Sequence, residues 1–340
     1  MFVKQTNYLI VAPKILYIVS QYTDYQQDLI YSGLTKIIGK ENVIDYPWNP
    51  KFHLPYKKYP KNLGYSSFSL PKARPFFNTS QFDLVILASA KKDALAVYSK
   101  LLPSILDKPM LFLDGGDRPE VGGDFHRLGA GAQYEEVLKK RPFDLIFKRE
   151  YVSSLHKSNP RIFPLPFSFP YDVCMPAKND VEKKYEVSFW GQQAPEIRTK
   201  ALKLLEGKYD CSQNGTTLNQ DFKTYKRKGK FYLEELSRCK VVLNFRGGGW
   251  DTMRYWETPA MGSFMISQKP QIEIPDNFEE GKHLVWCCDT LGDLTEKIDY
   301  YLKRPLERGV MAAKSREHLN KYHLNTSRAN SLLRIVQSVL

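Results

Sequence analysis

The sequence predicts a doubly wound α/β protein made of two domains that face each other across a cleft. Short apolar runs rich in β-branched residues alternate with longer amphipathic helical patterns. The alternation stops once, in a proline-rich stretch, and then restarts. A length of 340 residues exceeds one ordinary core and suits two domains of common size. Apolar strands separated by helices imply parallel sheets with right-handed crossovers.

Residues 15–20 open the series as a buried strand. The pattern over residues 26–38 then places Leu29, Ile30, Leu34 and Ile37 on one helical face. Residues 43–46 read as a second strand, and residues 47–80 follow neither period and read as a long loop or insertion. Strands are expected at 83–88, 110–113 and 144–148, with a helix over 91–102. Residues 161–184, with Pro164, Pro166, Pro170 and Pro176, read as a linker. The second series has strands at 185–190, 209–212, 241–245, 264–267 and 284–287. Its helices fall at 196–205, 232–238, 252–260, 291–303, 305–322 and 326–339. The expected domains are 1–168 and 169–322, with a C-terminal helix in 323–340 placed to return to the first domain.

Lys and Arg number 50 against 37 Asp and Glu, a formal charge of +13 that favours anionic partners such as nucleoside diphosphates, acidic headgroups or nucleic acid. The five cysteines, Cys174, Cys211, Cys239, Cys287 and Cys288, show neither a disulfide framework nor a zinc-ligand spacing. A reducing, cytoplasmic home and no metal are the expectation. The apolar run over residues 8–20 is broken by Pro13 and Lys14, falling short of a signal sequence or the ~20 residues of a spanning helix. Asn-x-Ser/Thr triplets at Asn78, Asn214 and Asn325 therefore carry little weight.

The most informative segment runs from the strand at 241–245 through Arg246, Gly247, Gly248, Gly249, Trp250 and Asp251 into a helix carrying Arg254 and Glu257. Three glycines let a backbone approach a ligand closely and turn N–H groups toward it. A helix N-terminus adds partial positive charge. Arg246 and Arg254 suit bidentate phosphate contacts, and Glu257, three residues beyond Arg254, shares its helix face. A carboxylate there can accept both hydroxyls of a ribose. Cation, nest and diol acceptor together describe a sugar nucleotide, although glycine turns and Arg–Glu pairs are also common without ligands.

This segment resembles the CgeB/spore-maturation-type glycosyltransferases, related to the group 1 enzymes of GT-B architecture. The resemblance rests on Asn244-Phe245, Gly247–Gly249, Met253-Arg254, Glu257 and Ala260-Met261-Gly262, with weaker support from Phe189-Trp190-Gly191 and Arg198. It covers about residues 185–333 and implies two Rossmann-like domains, with the donor bound by the second. Glu257 would hold the donor ribose, while Arg254 and the glycine loop would meet the diphosphate. Many group 1 enzymes carry another Glu eight residues before the ribose Glu. Here that position is Gly249, with Asp251 as a local substitute.

Asp114 and Asp117 lie just beyond a strand, where either would serve as general base for an acceptor hydroxyl or bind the acceptor; an ordinary Asp-Gly turn is the alternative. His126 on the same connection is the best-placed histidine for proton abstraction. Gly191 and Arg198 form a second strand–turn–helix entry toward the donor. The basic run 223–230 reads as a solvated loop, with an anionic membrane surface as a peripheral partner and nucleic acid disfavoured. The expected activity is metal-independent transfer from a nucleoside diphosphate sugar, a co-substrate rather than a cofactor, to a glycan, lipid-linked or protein acceptor. A sugar-nucleotide epimerase or a non-catalytic polyanion-binding protein are the rivals.

Overall fold

The computed structural model describes residues 12–55, 58–71, 78–173, 181–188, 196–209 and 229–340. The N-terminal sheet contains β1 (Ile15–Ile18), β2 (Val43–Tyr46), β3 (Leu84–Leu87), β4 (Met110–Asp114), β5 (Leu145–Lys148) and β6 (Ile162–Pro164). Its order is β2-β1-β3-β4-β5-β6, and every pairing is parallel. Helices α1 (Tyr25–Ile38), α2 (Pro50–His53), α3 (Lys92–Leu101), α4 (Gly123–Arg127), α5 (Gly131–Lys140) and α6 (Ser153–His156) occupy its connections. The second sheet, among the described residues, has β7 (Tyr185–Ser188), β8 (Cys239–Asn244), β9 (Met265–Gln268) and β10 (Val285–Cys287) in the parallel order β10-β9-β8-β7. Helices α7 (Glu196–Leu205), α8 (Lys230–Ser237), α9 (Met253–Ala260), α10 (Leu294–Leu302) and α11 (Pro305–Tyr322) accompany it, and α12 (Asn325–Val339) follows.

The strand at 15–18 is buried at every position, as a sheet covered on both faces requires. Three expectations need correction. Residues 162–164, expected in the linker, form β6; Pro164 is tolerated because this is an edge strand, where a missing N–H breaks no ladder. The stretch 47–80, expected to be a long loop or insertion, contains α2, started by Pro50 at its first turn and by the Asn49 side chain, which accepts the Lys51 N–H at 3.0 Å. Tyr209 lies outside any strand, and the rest of the strand expected there is outside the described residues. Helices α4 and α5 had no counterpart in the sequence reading.

Helix α12 crosses from the second sheet to the first. Ala329, Leu332 and Leu333 join the core formed by Ile15, Tyr17, Ile30 and Leu34. Helix α1 meets it at Gly33, where a Cβ would stand 2.4 Å from the Asn325 carbonyl oxygen and 2.9 Å from Ala329 Cβ. Gly33→Val should therefore force the helices apart and cost about 1–3 kcal/mol in a urea titration; an unchanged midpoint would show that the crossing can yield.

The two chain crossings run side by side. Phe169 donates its N–H to the His323 carbonyl at 3.0 Å, and Asn325 donates to the Phe169 carbonyl at 3.0 Å. Asn325 is fully buried, with its side chain accepting the Tyr171 N–H at 3.0 Å, so its triplet offers no accessible amide. Cys287 is buried and Cys288 exposed, both as free thiols. Among the described residues no helix is long and apolar enough to cross a membrane.

Candidate active site

Strand β8 ends at Asn244 because the chain must turn toward the first domain. Asn244 fixes this turn: its amide donates to Ser267 Oγ at 3.0 Å, and its carbonyl oxygen accepts the Thr252 hydroxyl at 2.7 Å. Thr252 stands immediately before α9. The loop 245–251 thus leaves β8 and returns to the start of a helix, and its open side faces the ends of β4 and β5.

The nest formed by this loop is filled by a carboxylate of the protein itself. Glu150, just beyond β5, accepts the Trp250 N–H at 2.8 Å and the Asp251 N–H at 3.0 Å, one on each oxygen. Two successive N–H groups before a helix form the expected anion site, and the first domain supplies the anion. A Cβ on Gly249 would lie 2.3 Å from Glu150 Oε1, and one on Gly248 2.5 Å from Asp117 Oδ2. Gly248 and Gly249 are therefore glycine because acidic side chains of the other domain press on them. The expectation that the three glycines form an open diphosphate cradle is corrected on this point.

Asp251 is a strut rather than a sugar contact. It is 4% exposed, accepts the Phe167 N–H and the Trp256 indole N–H (2.8 Å), and burial pushes its carboxyl up to about 7 despite nearby Arg149. Arg149 is buried beside it, ion-paired with Asp117, donating to the Gly116 carbonyl at 3.2 Å and lying over the Phe167 ring.

The other cationic residues gather on the far side of the loop. Arg198, on α7, donates to the carbonyls of Arg246 at 2.9 Å and Phe245 at 3.2 Å, placing its guanidinium under Gly247. Burial, then the like charge of Arg254, brings Arg198 down to about 10. A neighbouring like charge disfavours the charged form of Arg198 unless an anion joins the pair. Arg246 lies over the Trp250 ring, 4.8 Å from its centroid.

Glu257 lies beside Arg254, 4% exposed on α9. One oxygen accepts the Tyr232 hydroxyl at 2.6 Å; the other accepts the hydroxyl of Tyr59, which belongs to the first domain's 47–80 stretch. Burial raises this carboxyl, while the two phenols and Arg254 pull it back down. A buried carboxylate gripping two hydroxyls, one per oxygen, has the bonding pattern that a ribose diol would satisfy.

Of the three acid–base candidates, Asp117 is the one seen against this loop, its Oδ2 beside Gly248. Asp114 is sealed beneath it, 0% exposed, ion-paired to the equally buried Lys148 at 3.0 Å and accepting the N–H groups of Gly116 (3.2 Å) and Gly122 (2.8 Å). It is a structural anchor, which corrects its assignment as a base. His126 is exposed on α4 and faces Glu135 at 3.3 Å, within its own domain. Its described contacts are with Glu135, Tyr134 and Gly131 of the first domain. Gly191 and residues 223–228 lie outside the described residues. Among the described residues no cluster of three or more His, Cys, Asp or Glu side chains could hold a metal ion.

Sequence reasoning missed Arg149, Glu150, Tyr59 and Tyr232. A usable signal existed for the first two, because Lys148-Arg149-Glu150 sets three charges at the carboxyl end of an apolar strand, where ligands of parallel sheets bind.

The two parallel sheets and the helices between them define the class of fold, two Rossmann-like domains in GT-B architecture. Residues 183–334 match a protein family described as glycosyl transferase-like. In overall fold the chain is similar to HepE from Anabaena, crystallised with UDP and glucose, at a TM-score of 0.62 and 10% identity over 96% of this chain and 100% of that one. It is also similar to an alpha-glucosyltransferase crystallised with UDP and a mismatched 13-mer DNA, at 0.59 and 13% over 95% and 98%. A glycosyltransferase from Rickettsia africae aligns at 0.58 and 11% over 96% and 98%. No curated protein matches the chain.

Proposed function

We propose that the protein moves a sugar from a nucleoside diphosphate sugar to an acceptor hydroxyl, and that it is of the CgeB/spore-maturation type. The observation that carries this reading is Glu257, a buried carboxylate holding two hydroxyls beside Arg254 and Arg198. In the donor complex the ribose diol takes the place of at least the Tyr59 hydroxyl. The diphosphate lies against Arg198 and Arg254 on the Gly247 side of the loop, with Arg246 flanking it. The Gly248–Gly249 side stays closed by Asp117 and Glu150.

Transfer places negative charge on the leaving diphosphate, and fixed guanidiniums in a site shielded from water stabilise that charge without reorganising. The reading is therefore metal-independent, with the sugar nucleotide as co-substrate and no cofactor. Asp117 is the remaining candidate to accept the acceptor's proton, and its ion pair with Arg149 holds the carboxylate in place at the cleft. A glycan, lipid-linked or protein acceptor enters from the first domain, and the chain's positive charge suits an acceptor at an anionic membrane surface.

Calorimetry with UDP, GDP and ADP tests the donor reading. UDP, the nucleotide in two of the similar structures, is the first candidate. A base-selective affinity is expected, with EDTA leaving the transfer rate unchanged; equal binding of all three and of inorganic pyrophosphate would overturn the reading. Tyr59→Phe supplies a second check. Removing the competing phenol leaves Glu257 with an unsatisfied oxygen in the free protein, a cost of about 1–3 kcal/mol that the ribose relieves on binding. Nucleotide affinity should rise. A fall would place the Tyr59 hydroxyl among the ligand contacts instead.

A further inference from the structure

On the outer edge of the first sheet, β2 and the segment 66–70 line a solvent-open pocket of about 510 Å³. The segment is tied to α2, since Ser66 and Ser69 donate their N–H groups to the carbonyls of Phe52 (3.1 Å) and His53 (3.2 Å). Helix α2 is held in turn by Phe52, stacked on Tyr31 with ring centroids 3.9 Å apart. These contacts bring together Asp45 from β2, His53 from α2 and Ser69 from the segment, all lining the cavity.

Their geometry is directional. His53 Nε2 lies 2.8 Å from Asp45 Oδ1, and His53 Nδ1 lies 2.7 Å from Ser69 Oγ. Asp45 is 9% exposed, and its other oxygen accepts the Asn49 N–H at 2.6 Å, so the carboxylate is fixed in place. An ionised carboxylate only accepts, so the neutral ring carries its hydrogen on Nε2. Nδ1 is then a bare acceptor, and the Ser69 hydroxyl donates to it. The Trp48 ring stacks on His53 at 5.3 Å between centroids and 10° between planes, locking the imidazole further. Trp48 Nε1 is buried without a hydrogen-bond partner.

We propose that Ser69, His53 and Asp45 form a second reaction centre, an ester-cleaving triad separate from glycosyl transfer. The arrangement meets the requirements of an activated serine: nucleophile and base within hydrogen-bond reach, and a base oriented by a third group. The ring is used in the opposite sense from the familiar proteases, with the carboxylate on Nε2 and the serine on Nδ1. Ser69 Oγ bonds to the ester carbonyl carbon while its proton passes to His53 Nδ1. The tetrahedral intermediate expels the alcohol oxygen, which takes that proton. Water then attacks the acyl-serine, giving one proton to Nδ1, and the departing Ser69 oxygen takes it back as the carboxylic acid leaves. The cavity is of small-ligand size, and its hydroxyl-rich lining of Ser66, Ser67 and Ser69 beside the flat Trp48 ring suits the acyl ester of a sugar or small polyol.

The test uses the full chain and a fluorophosphonate probe, with the modified residue mapped by mass spectrometry, alongside hydrolysis of p-nitrophenyl acetate. Stoichiometric modification of Ser69 is expected, and Ser69→Ala should abolish both labelling and hydrolysis while leaving UDP affinity unchanged. Asp45 acts through the ring, as a positioning residue. Asp45→Asn, in which the amide can donate to Nε2, should favour the other tautomer and slow labelling at least tenfold. It should also remove the dependence of the labelling rate on titration of a single base, at an unchanged melting temperature. No labelling of Ser69 in folded protein, or ester cleavage that survives Ser69→Ala, would overturn the proposal. Because donor affinity is read separately, its failure is distinct from failure of the transferase reading.

Discussion

Glu257→Ala is expected to weaken UDP binding by roughly 10- to 150-fold, the equivalent of about 1.5–3 kcal/mol for hydrogen bonds to a charged group. The Glu257 carboxylate is buried and already holds two hydroxyls. Its loss therefore removes the acceptor for the ribose and also the carboxylate oxygens that hold the Tyr59 and Tyr232 hydroxyls. Arg254 loses a neighbouring counter-charge in the same step and becomes freer to pair with the diphosphate, which partly offsets the loss. The comparison with Glu257→Gln separates the two contributions, because the amide keeps one acceptor oxygen but neutralises the charge. Calorimetry on both folded variants is the measurement. Unchanged affinity in both would remove the ribose from α9 and with it the proposed donor position.

The largest effect on stability is expected at Asp114. Both members of its pair with Lys148 have side chains that are 0% exposed. Removing one partner of such a pair leaves a buried charge uncompensated, at a cost of about 3–5 kcal/mol. Asp114→Ala also orphans the N–H groups of Gly116 and Gly122, whereas Asp114→Ala combined with Lys148→Met removes the stranded charge and should recover part of the loss. Urea unfolding of the single and double variants tests this. A loss below about 1 kcal/mol in the single variant would mean that Lys148 reaches water or another anion. Nucleotide affinity should be unchanged in whatever fraction remains folded, in keeping with an anchor under the cleft rather than a group that meets substrate.

Much of the architecture was legible because it is periodic. The apolar runs that became β1, β3 and β8 and the helical patterns of α1, α7 and α11 are local signals, readable from a few neighbours. Strand β6 escaped because three residues ending in proline carry too little pattern. The composition of the site was partly legible as well, since Arg254 and Glu257 stand three apart on one helix. What fills the glycine turn was not legible. Glu150 meets the Asp251 N–H across 101 residues of chain, and Tyr59 meets Glu257 across 198. Such contacts arise from how two domains dock, and no local period encodes them. The glycines were read as marking a close approach to a ligand; at Gly248 and Gly249 the approaching groups are Asp117 and Glu150 of the protein.

Helix α12 has a consequence for biosynthesis. Its Ala329, Leu332 and Leu333 sit in a core whose other members are drawn from the first half of the chain, beginning at Ile15. A ribosome-bound nascent chain can therefore pair β1 to β6 early, yet must keep one apolar flank uncovered until residue 333 has emerged. For that interval the nascent domain offers a sticky surface to holdase chaperones, and translation speed over the second half sets how long the exposure lasts.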